Sequence, residues 1–382
     1  MSGAEPDIPL FDLELAPQDI EAVVQTLRSG WLTMGPRIAE FEEVFREHLD
    51  VRHAVAVSSG TAALHLAYRS AGVGPGDEVI VPSFTFVATA NAALYCGAEP
   101  VFADIVGLEN PSIDPLEVQR RITPRTKAVV AVHFAGYPAP VGALARLCRE
   151  RGLSLIEDAA HAPSATLAGR KLGTFGQAGA FSFFSNKVLS VGEGGLLATD
   201  DDQLAERARR LRSHALTSMT WDRHRGHADS YDVVDIGFNY RMDEPRAALA
   251  LSRLPRMESE IVRRRSLTFR YRERLESNAE IILPYRDEDV ERSSCYVMPV
   301  MLRHPQRRAD VRKILRERHG IQTSVLYPSV HEFTAYRERF PGVALPRTEA
   351  AARSELTIPL FPHMTDRQQD QVIDALNAAL DA

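Results

Sequence analysis

The chain has 382 residues and a mass of 42.4 kDa, which exceeds the usual length of one domain and predicts two packed units. Its 45% hydrophobic and 25% charged residues are typical of a soluble globular protein with a full core. A formal net charge of −6, without a basic stripe, argues against a nucleic-acid-binding or membrane-surface protein.

The N-terminal residues and the cysteines predict a cytoplasmic protein without a metal centre. No basic start followed by an apolar run marks a signal peptide, and no apolar stretch is long enough to span a bilayer. Cys96, Cys148 and Cys295 lie far apart in sequence, so neither a CxxC metal site nor a disulfide framework is indicated. This cysteine usage fits a reducing compartment.

The first two thirds of the chain predict alternating helices and strands. Apolar runs predict seven strands, at 53–58, 77–82, 100–105, 127–134, 153–160, 180–184 and 195–200. Helix-periodic segments lie at 17–30, 36–49, 59–72, 85–97 and 141–152, with a short helix capped by Asp114. This alternation predicts a mostly parallel α/β sheet, and the continuous apolar runs fit strands covered on both faces.

The sequence changes in character after about Asn239. Residues 243–277 are helix-periodic and rich in Arg and Glu, and further helices are predicted near 309–319 and 366–380. The Arg-rich stretches at 207–212 and 263–265 are interpreted as solvated helix faces. We predict a large α/β domain over residues 1–250 and a smaller α+β domain over residues 251–382.

Ser59, Gly60 and Thr61 lie at a strand-to-helix junction, and ligands of open α/β sheets collect at the carboxyl ends of the strands. The free N–H groups of a first helical turn attract an anion, Gly60 allows close approach of the backbone, and Thr61 adds a hydroxyl. The segment therefore predicts a phosphate cradle, although a plain Ser/Thr helix cap has the same pattern.

Asp158 ends an apolar strand directly after Glu157, and adjacent acids are poor strand formers. A carboxylate in this place can pair with the protonated nitrogen of a pyridine ring. The alternatives are a helix N-cap and a metal carboxylate. The metal is disfavoured because no second carboxylate or His pair follows at ligand spacing.

Lys187 follows a strand end and precedes a Gly-rich turn at 192–195. The chain has only three other lysines, Lys127, Lys171 and Lys313. A partly desolvated lysine has a lowered pKa, and its neutral amine can form a Schiff base. Ser182, on the preceding strand, can add a phosphate contact. An exposed loop lysine is the plainer alternative.

Seven segments occur in a fixed order along the chain: GWLTMGPRIAEFE, SSGTAALHLA, GDEVIVPSFTFVATANAAL, IEDAAHA, FSFFSNKVLSVGEGG, GFNYRMDEPRAAL and YPSVH. Together they resemble the DegT/DnrJ/EryC1/StrS family of sugar aminotransferases that depend on pyridoxal 5'-phosphate (PLP), over nearly the whole chain. The resemblance implies the aspartate-aminotransferase fold of type I. That fold has a large domain with a mostly parallel seven-stranded sheet and a smaller C-terminal α+β domain.

The resemblance also implies roles for individual residues. Lys187 matches the lysine that forms a Schiff base with PLP, and Asp158 matches the acid that faces the pyridine nitrogen. Phe86 matches the aromatic residue stacked on the ring, and His161 matches a position near its phenolic oxygen. The phosphate contacts match Ser59, Gly60, Thr61, Ser182 and Asn239. Because the family supplies the asparagine from the other subunit, a homodimer with shared active sites is implied. Residues that match the lining of the nucleotide-sugar cleft are Trp31, Thr33, Tyr231, Tyr327 and His331.

The activity implied is transamination of a nucleotide-linked 4-keto-6-deoxysugar, with dTDP as the expected nucleotide and L-glutamate as the expected donor. Such chemistry serves amino-sugar biosynthesis, including that of antibiotic sugars. The FFSNK and GEGG forms are more similar to the family's 4-aminotransferases than to its 3-aminotransferases, which remain an alternative. Lys187 argues against a dehydratase with His at that position. A non-catalytic regulatory member of the same fold is the other alternative.

Overall fold

The computed structural model describes residues 7–217 and 230–382. The helices are α1 (Pro17–Arg28), α2 (Pro36–Leu49), α3 (Gly60–Ser70), α4 (Ala88–Tyr95), α5 (Pro115–Arg121), α6 (Val141–Arg151), α7 (Asp202–Leu211), α8 (Glu244–Leu275), α9 (Asp287–Val290), α10 (Arg308–His319), α11 (Thr334–Arg339), α12 (Pro346–Ser354) and α13 (Asp366–Asp381). The strands are β1 (His53–Val57), β2 (Glu78–Pro82), β3 (Glu99–Ala103), β4 (Thr126–Val132), β5 (Ser154–Asp158), β6 (Thr166–Leu167), β7 (Arg170–Lys171), β8 (Ala178–Ser182), β9 (Gly195–Thr199), β10 (Ile281–Ile282), β11 (Met298–Leu302) and β12 (Glu355–Ile358).

The main sheet has seven strands in the order β1-β9-β8-β5-β4-β2-β3. The pairs from β8 across to β3 are parallel, whereas β9 runs antiparallel to both of its neighbours. The carboxyl ends of the six strands other than β9 therefore meet at one edge of the sheet. The prediction of a mostly parallel seven-stranded sheet is confirmed.

Helices cover both faces of this sheet, because successive side chains of a strand point to opposite faces. On β4, Val129 packs in one apolar core and Val130 in the other, and both are fully buried. Helices α2 and α6 pack on the first side and α3, α4 and α7 on the second. Burial on both faces explains why the strands read as continuous apolar runs in the sequence.

A smaller antiparallel sheet, β10-β11-β12, forms in the C-terminal part of the chain. Helix α8 packs on α1, α2 and α13 and so touches elements from both ends of the chain. This helix also crosses residue 250, the predicted domain boundary, which stays a prediction. Residues 1–6 and 218–229 of the predicted large domain lie outside the described residues.

Two details of the sequence interpretation were wrong. The Arg-rich stretches are not simply solvated, because Arg212 is 2% exposed and Arg264 is 4% exposed. Arg212 pairs with Glu42 and donates to the Ala56 carbonyl. The helix predicted from residue 85 begins only at Ala88, so the residues before it form a loop after β2.

Within residues 7–217 and 230–382, no helix is both long and apolar enough to cross a bilayer. The same residues contain no group of three His, Cys, Asp or Glu side chains placed to hold a metal ion.

Candidate active site

Four of the residues predicted to bind the cofactor or to act in catalysis lie together at the edge of the main sheet where the parallel strands end. Ser59 follows the end of β1, Asp158 ends β5, and Ser182 ends β8, with Lys187 five residues further on. All four line one cavity of about 360 Å³, a size typical of small-molecule sites. The topology brings them together because parallel strands present their carboxyl ends on the same side.

Lys187 places its amine inside this cavity, against an aromatic wall. Its Nζ lies 4.3 Å from the centre of the Tyr296 ring. Burial lowers the pKa of Lys187 from its ordinary value of 10.5 to about 7, although the nearby Asp158 carboxylate acts in the opposite direction. A large fraction of the amine is therefore neutral near pH 7 and can attack a carbonyl carbon.

Asp158 is a buried carboxylate with a defined orientation. Thr89 Oγ1 donates to Asp158 Oδ2 at 2.7 Å, and Ala160 N donates to Oδ1 at 3.2 Å. Because Thr89 uses its hydrogen on Asp158, the 2.9 Å bond between Thr85 and Thr89 must be donated by Thr85. Burial raises the pKa of Asp158, and the hydrogen bonds from Thr89 and Ala160 oppose this rise.

Glu157, the other acid of the pair, points to the opposite face of β5. It accepts hydrogen bonds from Gly173 N at 2.8 Å and Gly176 N at 2.7 Å. His133 Nδ1 accepts from Ala139 N, so the ring proton sits on Nε2 and is donated to Glu157 at 2.9 Å. Glu157 therefore holds the loop around Gly173 and Gly176 in place. The two acids at the end of β5 thus have different roles, one on each face of the strand.

The first turn of α3 forms one wall of the cavity. Ser59 Oγ accepts from Ala62 N at 3.1 Å, and the next residues, Gly60 and Thr61, line the cavity. A Cβ on Gly60 would lie 2.8 Å from the Cβ of Ser182, and one on Gly195 would overlap the carbonyl oxygen of Ser59. Glycine is needed at both positions for this close approach of α3 to β8 and β9.

Aromatic and imidazole groups form the other walls. Ala135 N donates to His161 Nδ1 at 3.2 Å, so His161 Nε2 carries the proton and donates to Tyr327 Oη at 3.0 Å. Burial lowers the pKa of His161 well below its ordinary value, so this ring is neutral. Phe86 also lines the cavity and is half exposed, with its ring centre 5.9 Å from that of Tyr327.

Five predicted residues do not line this cavity in the single chain. Trp31 Nε1 donates to Met34 O at 3.2 Å, and Thr33 is exposed beside it. His331 is buried, with its Nδ1 2.7 Å from Ser83 Oγ and its Nε2 3.4 Å from Glu349. Tyr231 and Asn239 are exposed. The ligand contacts assigned to these five residues stay predictions.

The sequence interpretation missed Thr89, Tyr296 and Asn186 as residues of the site. Asn186 and Tyr296 line the cavity, and Thr89 reaches it through Asp158. Thr89 looks like an ordinary member of α4, and Tyr296 stands outside any recognisable motif. Asn186, directly before the candidate lysine, carried a positional signal that could have found it.

The lining residues fit PLP at three points. The first is the amine of Lys187, which can hold the aldehyde carbon. The second is Asp158, because burial disfavours its charged form and a protonated ring nitrogen beside it would stabilise the carboxylate. The third is the α3 N-terminus with Ser59, Thr61 and Ser182, which offers N–H and hydroxyl donors to a phosphate.

Comparison with known proteins is consistent with this fit. Residues 14–377 match the model of the DegT/DnrJ/EryC1/StrS aminotransferase family. The spore coat polysaccharide biosynthesis protein SpsC of Bacillus subtilis (strain 168) is 38% identical over 368 residues, which cover 95% of this chain and 94% of SpsC.

Two solved structures have the same fold over almost the full length of the chain. The aminotransferase TlmJ from Streptoalloteichus hindustanus has a TM-score of 0.90 and 36% identity, covering 98% of this chain and 99% of TlmJ. NtdA from Bacillus subtilis, solved with the bound cofactor PMP, has a TM-score of 0.86 and 29% identity, covering 96% and 83%.

Proposed function

The chain belongs to the DegT/DnrJ/EryC1/StrS aminotransferase family, and on that premise we propose that it aminates a nucleotide-linked 4-keto-6-deoxysugar. It is a PLP-dependent sugar aminotransferase. The main support for the proposal is that the Lys187 amine, the Asp158 carboxylate and the N-terminus of α3 all line one cavity. Within the proposal, dTDP is the nucleotide and L-glutamate the amino donor.

We assign the cofactor contacts as the resemblance implies. Lys187 holds PLP covalently, Asp158 faces the ring nitrogen, and Phe86 packs on the ring. Ser59, Gly60, Thr61 and Ser182 contact the phosphate. The neutral His161, whose Nε2 proton is directed at Tyr327, lies near the phenolic oxygen.

Bound PLP supplies an electron sink that stabilises negative charge on the carbon next to the transferred nitrogen. Lys187 Nζ then acts as the base that takes the proton from the α-carbon of the donor, for which a pKa of about 7 is well suited. Asp158 keeps a negative charge beside the ring nitrogen and so holds the proton there. Phe86, Tyr296 and Tyr327 narrow the cavity and limit access of water to the Lys187 amine.

We also propose that the active site is completed across a homodimer, with Asn239 reaching the phosphate of the partner. Asn239 is exposed in the single chain. The segment just before it exposes apolar side chains that favour a protein contact: Val233 and Val234 are more than half exposed and Ile236 is 81% exposed. A cytoplasmic location and a role in antibiotic-sugar formation belong to the same proposal.

The first experiment tests the cofactor link. Borohydride treatment of the PLP-loaded protein should fix one cofactor mass on a peptide containing Lys187, as measured by peptide mass spectrometry. Attachment to Lys127, Lys171 or Lys313 instead would overturn the assignment.

The second experiment tests the substrate. The holoenzyme is incubated with L-glutamate and either a dTDP-linked 4-keto- or 3-keto-6-deoxysugar, and the products are identified by NMR. We expect an amine at C4. Amination at C3 alone would replace the proposal by the 3-keto alternative, and the absence of amination with both sugars would reject both.

A further inference from the structure

A buried acid lies where the small antiparallel sheet approaches the cofactor cavity. Glu355, the first residue of β12, is 0% exposed, as are Leu356 and Ile358 of the same strand. An apolar side chain is the ordinary occupant of such a place, because moving a carboxyl group out of water is costly unless its oxygens are hydrogen-bonded. The bonds that Glu355 makes therefore indicate its role.

Both carboxyl oxygens of Glu355 accept hydrogen bonds. Leu326 N donates to Oε2 at 2.7 Å, and Thr357 Oγ1 donates to Oε1. The Thr357 bond lies within β12, whereas the Leu326 bond joins the strand to a different segment of the chain. A backbone N–H that is buried without an acceptor is costly, so the acid satisfies a need of residue 326.

The bond to Leu326 takes the place of a bond between strands. Ser324 and Thr357 exchange two backbone hydrogen bonds, each of 3.0 Å. In an antiparallel ladder the next bonded pair would be Leu326 and Glu355, two residues further along each strand. Instead, Leu326 N donates to the Glu355 side chain, and the Glu355 carbonyl oxygen accepts from Arg308 Nη1 at 3.0 Å. The side chain thus lets the chain leave β12 at residue 326 with its amide still bonded.

The segment that leaves β12 reaches the cofactor cavity, where Leu326 and Tyr327 both line the wall. Tyr327 Oη accepts from His161 Nε2 at 3.0 Å, which leaves its own hydroxyl hydrogen for another acceptor. Burial raises the pKa of Tyr327 well above its ordinary value, and the nearby Glu355 acts in the same direction. The hydroxyl group therefore stays protonated and can donate a hydrogen bond.

We propose that Glu355 is a positioning residue of the active site, which acts through Leu326 N to hold the Tyr327 hydroxyl beside His161. Glu355 does not itself line the cavity, so its effect on the reaction passes through Tyr327. This inference rests on the proposed function, since it concerns residues assigned there to the cofactor and the substrate.

The charge state of Glu355 determines which variants test this role. Burial raises its pKa from 4.5 to about 8, although the bonds from Thr357 and Leu326 and the charges of Arg308 and Arg312 act in the opposite direction. Near pH 7 the group is therefore mainly a neutral acid. Glu355→Gln keeps the shape, the neutral state and an oxygen that accepts from Leu326 N. Glu355→Met keeps the length but removes the acceptor.

The first measurement is hydrogen exchange of the PLP-loaded protein at pH 7, read by mass spectrometry on a peptide containing Leu326 and Tyr327. In Glu355→Met this peptide should exchange at least about 10-fold faster, because the amide has lost its acceptor. In Glu355→Gln the rate should stay within about twofold of the wild type. Glu280→Met is the matched control, since it removes a partly exposed acid of the C-terminal part that lies 3.7 Å from His304, and it should change nothing.

The second measurement is the reaction of the holoenzyme with L-glutamate alone, followed in a single turnover by the absorbance of bound PLP. Glu355→Met should lower the limiting rate about 5- to 30-fold, as expected when one buried hydrogen bond that orients a reacting group is lost. Glu355→Gln should keep at least about half of the wild-type rate.

A double variant tests whether the effect passes through the Tyr327 hydroxyl. Tyr327→Phe removes only this group. Adding Glu355→Met to it should lower the rate by no more than about a further twofold, because residues that act through one group are not additive. Thr357→Val removes the other donor to Glu355 and should change exchange and rate in the same direction by about 2- to 5-fold. It provides the measurement if Glu355→Met does not fold.

The proposal is overturned if Glu355→Met exchanges and reacts like the wild type. It is also overturned if Met and Gln lower the rate equally, since packing would then matter instead of the acceptor, or if the full loss persists beside Tyr327→Phe. A wild-type enzyme that reacts with L-glutamate but aminates no 4-keto-sugar defeats the proposed substrate and leaves all of these measurements intact. One that does not react with L-glutamate defeats the proposed donor, and hydrogen exchange then decides for or against Glu355.

Discussion

The cofactor cavity and a neighbouring cavity of about 320 Å³, lined in part by four arginines of α8, meet at Asn186 and Lys187 but are assembled in different ways. The first is built largely from short segments that follow strands of one sheet, at 59–61, 158–161 and 182–187. The second draws on residues 11–16, 253–264 and 362–363, which are far apart in sequence. Reactive side chains at strand ends can be recognised in a sequence, whereas the sequence does not distinguish arginines of a long helix that face solvent from those that are buried.

The variant with the largest expected effect removes Lys187, one of the two residues that line both cavities. Lys187→Ala should lower transamination by at least about 10³-fold, because it removes both the covalent tether and the base. It should also abolish borohydride trapping. Turnover assays and peptide mass spectrometry measure the two effects, and trapping at another lysine in this variant would contradict the assignment.

A variant confined to the cofactor cavity tests whether the two regions are separable. Asp158→Asn should lower turnover by about 10²-fold, since a charged hydrogen-bonding partner of the ring nitrogen is lost. It should also weaken PLP retention during dialysis, which absorbance measures. Asp12→Asn is the matched control in the other cavity, and a similar loss of PLP there would show that the two regions are not independent.

Thr89 offers a finer test of the cofactor cavity. Thr89→Val keeps the side-chain shape but removes the donor to Asp158, and turnover should fall about 3- to 10-fold. Thr89→Ser should retain most of the wild-type rate because it keeps the hydroxyl. The pH dependence of the absorbance of bound PLP should differ from that of the wild type in Thr89→Val but not in Thr89→Ser. Equal effects of Val and Ser would indicate a packing role instead.

The smallest expected effect is the pH dependence of PLP attachment to Lys187. Because burial lowers the pKa of Lys187 to about 7, its amine in PLP-free protein is protonated below that value and neutral above it. The rate of PLP attachment should therefore rise with pH and level off above about 7, as followed by absorbance. A midpoint near the ordinary lysine value of 10.5 would show that the amine is not desolvated.

The sequence was sufficient to locate the residues whose position depends on the sheet. Lys187, Asp158, Ser182 and the segment 59–61 all follow strands that an apolar run reveals, and the parallel topology brings them together. The seven-stranded sheet followed from the same runs.

Residues whose role depends on packing between distant elements were not recognised from the sequence. Arg264 was interpreted as part of a solvated face and is buried, because α8 is covered by other elements along its length. Thr89 faces Asp158 only because α4 packs against the sheet. His331 is bonded to Ser83 and Glu349, contacts that no local pattern reveals, and its assignment to the substrate cleft stays a prediction.

The alternation of Glu157 and Asp158 along β5 constrains how this gene can change. Inserting or deleting one residue within the strand would exchange the two faces and move the His133-bonded acid into the cavity. A carboxylate would still be present beside the ligand, but the loops at Gly173 and Gly176 would lose their acceptor. Insertions and deletions in β5 should therefore be eliminated by selection, even though they leave a carboxylate in the cavity. Substitutions that keep Glu157 and Asp158 on their respective faces can accumulate.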